Sequence, residues 1–308
     1  MQMRHAVLTP FFGKLRDRFC EYGAPLSIEE KLERAAKIPG VEGVEVVFPD
    51  ECGGPLGNML DALHLAPAAI NVNLKGRPEF QSGALSSPDS GVREQALALL
   101  KQGKQFAQQV GADKVTCAPL ANGYDYPFHT DYRKAWTRMV DVLGEAAEFC
   151  PEVALHLEHK PADPRVRGLL DSAAKVLCLC HDISHPRVGI TFNVGHAFYG
   201  GGDPAEAFAQ VLFTGVPYYI HSCDGTENWD WDLVAGSRHL WQFAEFLYYL
   251  KEDGYQGWIT ADVFPLRQDA TELFAANVRL TNRIWNWLDT REHALPTIKE
   301  LENCLRLP

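Results

Sequence analysis

Short apolar segments alternate with longer amphipathic ones along nearly the whole chain, and this alternation limits the fold more than any other feature. Eight apolar runs read as strands: 5–11, 41–48, 68–74, 114–119, 153–158, 188–193, 216–221 and 257–263. Helical patterns occupy 26–38, 86–111, 131–149, 165–181, 204–213, 237–252 and 270–288. Ser27 followed by Glu30 has the spacing of a capping box, and Pro88 and Gly111 bracket the long helical run between them. No hairpin signal joins neighbouring strands; Asn122-Gly123 leads into an aromatic loop and then a helix. Strands that alternate with helices form a parallel sheet with right-handed crossovers. Eight such units within 308 residues favour a closed (β/α)8 barrel, an α/β fold. The rival, an open doubly wound sheet, usually carries a glycine-rich phosphate loop after its first strand, and "TPFFGKL" (9–15) has none. The barrel is expected to span 1–288, with 289–308 as a short C-terminal extension and no linker between them.

Composition narrows the function. The formal charge of -11 argues against a nucleic-acid partner, because phosphate neutralisation needs a basic face. No apolar run approaches the ~20 residues of a membrane span. The first residues, "MQMRHAVLTPFFGK", lack the apolar core and cleavage site of a secretory leader, so a cytoplasmic location is expected. The eight cysteines are scattered and form no C-x-x-C pair, which suits reduced thiols rather than a zinc knuckle or a disulfide frame.

In a barrel, chemistry collects at the C-terminal ends of the strands. Strand five ends in Glu158, with Lys160 two residues on and prolines at 161 and 164. Strand six ends in Asn193, followed by His196. Strand seven ends in His221, and Asp224, Asp230 and Asp232 follow in "SCDGTENWDWDL" (222–233). Strand eight ends with Asp262. Taken singly, these residues have ordinary roles: a core histidine, a helix cap, a turn, a solvated loop. Together, at four successive strand ends, they form an oxygen- and nitrogen-rich set. Mg2+ and Mn2+ favour carboxylate oxygen and tolerate imidazole. Glu158, Asn193, His221 and Asp262 are placed to enclose one ion. His196, Asp230 and Asp232 are placed to hold a second, provided the chain bends at the D-x-D. His159, pointing the other way by strand alternation, is expected to pack against a helix.

At these residues the sequence resembles the xylose isomerase-like superfamily. "LEHKPADPR" (157–165) is similar to the run that pairs a metal-binding glutamate with a substrate-polarising lysine. "VGITFNVGHA" (188–197), "IHSCDGTENWDWDLVAGS" (220–237), "ITADVFPLR" (259–267) and "GALSSPDSGVREQAL" (83–97) resemble further segments of that family, so the likeness covers roughly residues 80 to 270. Three departures stand out. Asn193 replaces a carboxylate. His221 stands where xylose isomerases proper have aspartate, a substitution similar to rhamnose isomerases and tagatose-type 3-epimerases. The strand-two histidine used for ring opening has no counterpart in "VEVVFPDECGG" (44–54), where Asp50 is the nearest polar residue.

The resemblance implies a metal-dependent aldose–ketose isomerase with one or two divalent ions, Mg2+ or Mn2+, with Co2+ or Zn2+ also admissible. It implies a small sugar as substrate and a homodimer or homotetramer. Glu158, Lys160 and Asp262 are the expected catalytic groups, with Lys160 hydrogen-bonding the carbonyl oxygen as charge develops there. Lys160, His196, Tyr124 and Phe128 are the expected substrate contacts, the two aromatics as a water-excluding wall. Two alternatives remain open. One is a ketose 3-epimerase in which Glu158 and Asp262 exchange a proton; the other is a sugar-binding barrel without catalysis.

Overall fold

On the eight strand segments one face carries mostly apolar, buried side chains, and this face packs against helices. The computed structural model describes residues 3–118, 124–163 and 166–289. Its barrel strands are β1 (Arg4–Leu8), β2 (Val41–Phe48), β3 (Ala66–Val72), β4 (Lys114–Cys117), β5 (Ala154–Glu158), β6 (Val188–Asn193), β7 (Tyr218–Ser222) and β8 (Trp258–Ala261). All neighbours pair in parallel, β8 closes on β1, and the barrel runs in simple sequence order. The (β/α)8 expectation therefore holds.

The helices are α1 (Ile28–Ala36), α2 (Leu56–Leu63), α3 (Ser90–Val110), α4 (Tyr132–Glu148), α5 (Ala173–Ile183), α6 (Val194–Tyr199), α7 (Pro204–Thr214), α8 (Leu240–Glu252) and α9 (Ala270–Asp289). The capping box at Ser27 and Glu30 forms in both directions, so two otherwise unpaired N–H groups at the start of α1 are satisfied. No helix among the described residues is long and apolar enough to cross a membrane.

The main core lies between the outer barrel face and the helices. Leu155, Leu157, Ile190, Phe192 and Ile220 point into it from three adjacent strands. Phe192, with no exposed surface, packs on Phe208 and Phe246 with ring centroids 5.2 and 5.6 Å away. Truncating such a side chain to alanine costs about 3–5 kcal/mol. The inner face is different in kind. Glu45, Asn71, Thr116, Glu158, Thr191, Asn193, His221, Thr260 and Asp262 are all buried there or at its rim.

Several details depart from the sequence expectations. Among the described residues three two-stranded ribbons are present: Leu15–Arg16 with Glu21–Tyr22, Ala162–Asp163 with Val166–Arg167, and Asp224–Thr226 with Trp229–Leu233. The second takes up the start of the helix expected over 165–181, which begins instead at Ala173. The third carries the D-x-D on a strand rather than an open loop. The helices α2 and α6 were not anticipated; each is short, six or eight residues, below the span over which helical periodicity can be read. Asn122, Gly123, Pro164 and residues 290–308 lie outside the described residues.

Candidate metal centre

Strand register brings the candidate residues together. Glu158 pairs with Thr191, so Asn193 projects one pleat beyond it on the same inner face. Asn193 pairs with His221, and His221 pairs with Thr260, which puts Asp262 one pleat further along β8. Glu158, His221 and Asp262 converge so that one ligand atom from each lies within 4.8 Å of the others. His196, Asp230 and Asp232 converge within the same limit, as do Cys223, Asp232 and Asp262. The two four- and three-residue sets read from the sequence thus come together, and Cys223 joins them.

The ribbon and α6 complete the second cluster. Asp230 and Asp232 are two apart on a strand, so both face the site while Trp231 turns outward, 51% exposed. Asp232 adopts a left-handed backbone (φ 43), which supplies the bend the D-x-D needs. Gly195 is obligatory in the first turn of α6, since a Cβ there would lie 2.6 Å from Cys223 Sγ. Asp224 is not part of either cluster. Its carboxylate accepts from the backbone N–H groups of Gly225, Arg238 and His239 and pairs with His239 Nδ1 at 2.7 Å, tying the ribbon to the start of α8.

One ring nitrogen of each histidine is committed to an acceptor at hydrogen-bond distance. His196 Nδ1 donates to the carbonyl oxygen of His159 at 2.7 Å, leaving Nε2 facing Asp230 Oδ2 at 3.4 Å. His221 Nε2 donates to Glu45 Oε2 at 2.9 Å, leaving Nδ1 3.4 Å from Glu158 Oε1 and 3.5 Å from Asp262 Oδ2. Buried polar atoms are nearly always hydrogen-bonded. His221 Nδ1 is buried without a partner and faces Glu158 and Asp262, and Asp230 Oδ1 is likewise buried without one. A donor set of carboxylate oxygen and imidazole nitrogen, with unsatisfied atoms converging, fits a divalent cation such as Mg2+ or Mn2+.

Asn193 behaves differently from the sequence expectation of an oxygen ligand. Its Oδ1 accepts from the His196 backbone N–H at 3.0 Å, as the N-cap of α6, and from Cys223 Sγ at 3.2 Å. That fixes the amide so that Nδ2 faces inward, donating to Glu158 Oε1 at 2.9 Å and Asp262 Oδ2 at 2.7 Å. The amide presents a donor, not a lone pair, to the first cluster.

Lys160 contacts Asp230 Oδ2 and lies 3.4 Å from Asp163. Burial alone would lower its pKa, but Asp230, Asp232 and Asp163 raise it further, so it stays cationic. Burial likewise opposes ionisation of Asp230 and Glu158. The former is nevertheless held below the usual carboxylate range by His196 and Lys160, the latter by His221 and His196. Asp232 goes the other way: burial, Asp230 and Asp262 push it well up. His221 is raised well above the usual histidine value despite burial, because Glu45 and Glu158 flank it. A proton and a cation compete for its Nδ1.

The remaining expectations fare unevenly. Tyr124 packs edge-on against Tyr132 (5.4 Å), and Phe128 is fully exposed at a positive φ of 71; neither touches the clusters by a ring contact or hydrogen bond among the described residues. His159 is buried between Phe192 and His196 rather than against a helix surface alone, and burial lowers its pKa to about 3. Asp50 is exposed and bonded to Asn73. Glu45 was missed. Its signal was a charge in mid-strand in a sheet whose strands are buried on both faces.

A parallel eight-stranded barrel with one buried and one partly buried carboxylate–histidine cluster at its C-terminal rim belongs to the class of barrels whose donor set suits a divalent cation. The chain belongs to the xylose isomerase-like TIM barrel family, which matches residues 32–283. Xylose isomerase of Thermus thermophilus is 28% identical over 251 residues, 79% of this chain and 65% of that protein. Xylose isomerase of Paraburkholderia xenovorans is 26% identical over 220 residues, 67% of this chain and 49% of that one. The chain thus spans less than two-thirds of the length of these relatives. Among solved structures, L-ribulose 3-epimerase matches with a TM-score of 0.73 at 18% identity, covering 96% of this chain and 100% of that one. A D-tagatose 3-epimerase-like protein matches at 0.69 and 20%, covering 94% and 98%. These structures establish the shared fold.

Proposed function

We propose that this chain is a divalent-metal-dependent aldose–ketose isomerase acting on a small open-chain sugar, in the cytoplasm and as a homodimer or homotetramer. The observation that carries this reading is Lys160. Its cationic head is mostly buried, contacts Asp230, and stands beside a second cluster of His196, Asp230 and Asp232. Proton exchange at a single metal has no use for that cluster.

Glu158, His221 and Asp262 would hold one cation, and His196, Asp230 and Asp232 a second. When bound, these ions supply Lewis acidity at the sugar's carbonyl and hydroxyl oxygens. Lys160 donates a hydrogen bond to the carbonyl oxygen O1, where negative charge develops. The C2–H bond breaks with its electron pair and the hydrogen is delivered to C1, while the O2 proton passes to O1. Atoms and electrons balance without an external oxidant. His196 holds its place through His159, so its Nε2 keeps facing the second cluster.

A second reading, a ketose 3-epimerase, is favoured by one observation. Glu158 Oε1 and Asp262 Oδ2 both converge on Asn193 Nδ2, which places two carboxylates around one point. Two carboxylates so placed can remove and return a C3 proton. The solved structures named as 3-epimerases support the same alternative.

One experiment tests both. Pentoses and hexoses are incubated with the protein and Mn2+, Mg2+ or Co2+ in deuterated water. Aldose–ketose conversion without deuterium on carbon is the expected result. Deuterium at C3 of a ketose identifies the epimerase instead. Conversion of no sugar with any of the ions overturns both readings and leaves a sugar-binding barrel.

A further inference from the structure

The barrel interior holds one fully buried carboxylate that the proposed reaction does not use. Glu45, at mid-strand on β2, has no exposed surface and four hydrogen-bond donors. Oε1 accepts from Asn71 Nδ2 at 2.9 Å and Thr116 Oγ1 at 2.8 Å. Oε2 accepts from Tyr219 OH at 2.8 Å and His221 Nε2 at 2.9 Å. Tyr219 spends its own proton on Glu45, so Thr260 Oγ1, in contact with the same phenol oxygen, is the donor to it. Five side chains from four strands are thereby fixed around one charge.

We propose that Glu45 is a positioning residue for the metal centre: it holds His221 in the tautomer that aims Nδ1 at Glu158 and Asp262, and it supplies through the imidazole the negative charge that Asn193 does not. This rests on the reading that Glu158, His221 and Asp262 hold a divalent cation.

The geometry supports each half. A carboxylate oxygen can only accept, so Nε2 keeps its hydrogen and Nδ1 is the nitrogen that gives its lone pair when a cation displaces the proton. That nitrogen is the buried atom without a partner. A carboxylate behind a ligating imidazole also makes it a stronger donor, and loss of such a partner typically weakens metal binding about 10–100-fold. Position 193 shows why the charge matters here. Its amide oxygen is committed to the start of α6 and its nitrogen is neutral, so the first cluster offers two carboxylates and an imidazole. Glu45 is the third carboxylate, one bond further back. The polar donors on its far oxygen explain how an anion is tolerated inside the barrel.

The test is Mn2+ affinity, measured by calorimetric titration of chelator-treated protein, for the full chain and two variants. Glu45→Gln is nearly isosteric. Thr116 can reverse its hydroxyl and Asn71 its amide, so the new side chain's nitrogen is accommodated on their side and its oxygen stays beside His221. The expected result is a Kd about 10–100-fold weaker than wild type. Thr116→Val perturbs the same network without touching His221 and is expected to leave Kd within about threefold; a shift equal to that of Glu45→Gln would mean that the network is merely structural and would overturn the proposal. If wild type binds Mn2+ and Glu45→Gln binds it equally well, the charge that Glu45 is proposed to supply through the imidazole is not needed, and the proposal fails while the metal reading stands. If wild type binds none, the metal reading fails first and takes the proposal with it. Should Glu45→Gln not fold, wild type with nitrogen-15 histidine and cadmium-113 decides: coupling to His221 Nδ1 with hydrogen retained on Nε2 is expected, and coupling to Nε2 or to neither overturns it.

Discussion

Replacing Asn193 by aspartate exchanges one heavy atom, nitrogen for oxygen, and reverses the balance of the first cluster. The new carboxylate keeps the cap on α6, since one oxygen still accepts from His196 N–H. It removes the two donors that now reach Glu158 and Asp262 at 2.9 and 2.7 Å, and puts a third negative group between them. A hydrogen bond to a charged acceptor is worth about 1.5–3 kcal/mol, so the pair amounts to about 3–6 kcal/mol. The loss is capped, because the aspartate can protonate: at pH 7 that costs about 4 kcal/mol from an ordinary pKa of ~3.9, and the protonated acid restores one donor. We therefore expect Asn193→Asp to lose about 3–5 kcal/mol of metal-free stability. With an unfolding entropy of about 2.1 cal/mol/K per residue, this lowers Tm by about 5–8 °C. Mn2+ reverses the sign, since a third carboxylate beside a cation is attractive. The variant binds Mn2+ more tightly than wild type, and at about a thousandfold excess over Kd the ion returns about 4 kcal/mol. The assay is thermal unfolding in chelator and across a Mn2+ titration. A metal-free Tm within about 1 °C of wild type would refute the inward-facing amide nitrogen. An unchanged Mn2+ Kd would place residue 193 outside the ion's reach.

Three further outcomes are expected. Lys160→Gln removes the cation at Asp230 and is expected to lower kcat about 100–1,000-fold with a modest change in KM, while leaving Mn2+ binding at the second cluster at least as tight; steady-state kinetics and titration check this. His156 is fully buried on β5, and burial lowers its pKa from 6.5 to about 3. The unfolded chain then binds more protons between those values, so stability falls as pH drops through that window, by about 2 kcal/mol between pH 7 and pH 5 from this group. Urea unfolding of His156→Gln at the two pH values is expected to show a correspondingly smaller difference than wild type; an equal difference refutes it. Gly168→Ala places a Cβ 2.1 Å from the Lys160 carbonyl oxygen, so the Lys160 segment must move. Stability is expected to drop by about 1–3 kcal/mol and kcat to fall more than KM rises, and unchanged kinetics would show that the segment yields without moving the ammonium.

The barrel was legible because its strands are apolar on the face that meets the helices, and runs such as "VGITFN" carry that signal without help from any neighbour. Glu158, His221 and Asp262 were legible for a related reason: they end strands, where burial by a helix stops and charge must have a use. What lay beyond the sequence depends on partners distant in the chain. The ribbon pairing Asp224–Thr226 with Trp229–Leu233 is too short for a two-residue alternation to stand out, yet it decides that Asp230 and Asp232 share a face. Whether Asn193 offers oxygen or nitrogen is decided by α6, a helix of six residues whose first free N–H groups take the oxygen. Glu45 is the plainest case. In "VEGVEVVF" it looks like its neighbour Glu42, which is exposed, and only closure of the barrel turns one glutamate outward and the other onto His221, 176 residues away. The two unread features are linked by charge. An amide at 193 leaves Glu158 and Asp262 facing a protonated His221, and a buried imidazolium between only two carboxylates, both of them shared with that amide, would be poorly compensated. The third carboxylate at position 45 closes that balance without a cation, and it remains in place to strengthen the imidazole when a cation displaces the proton.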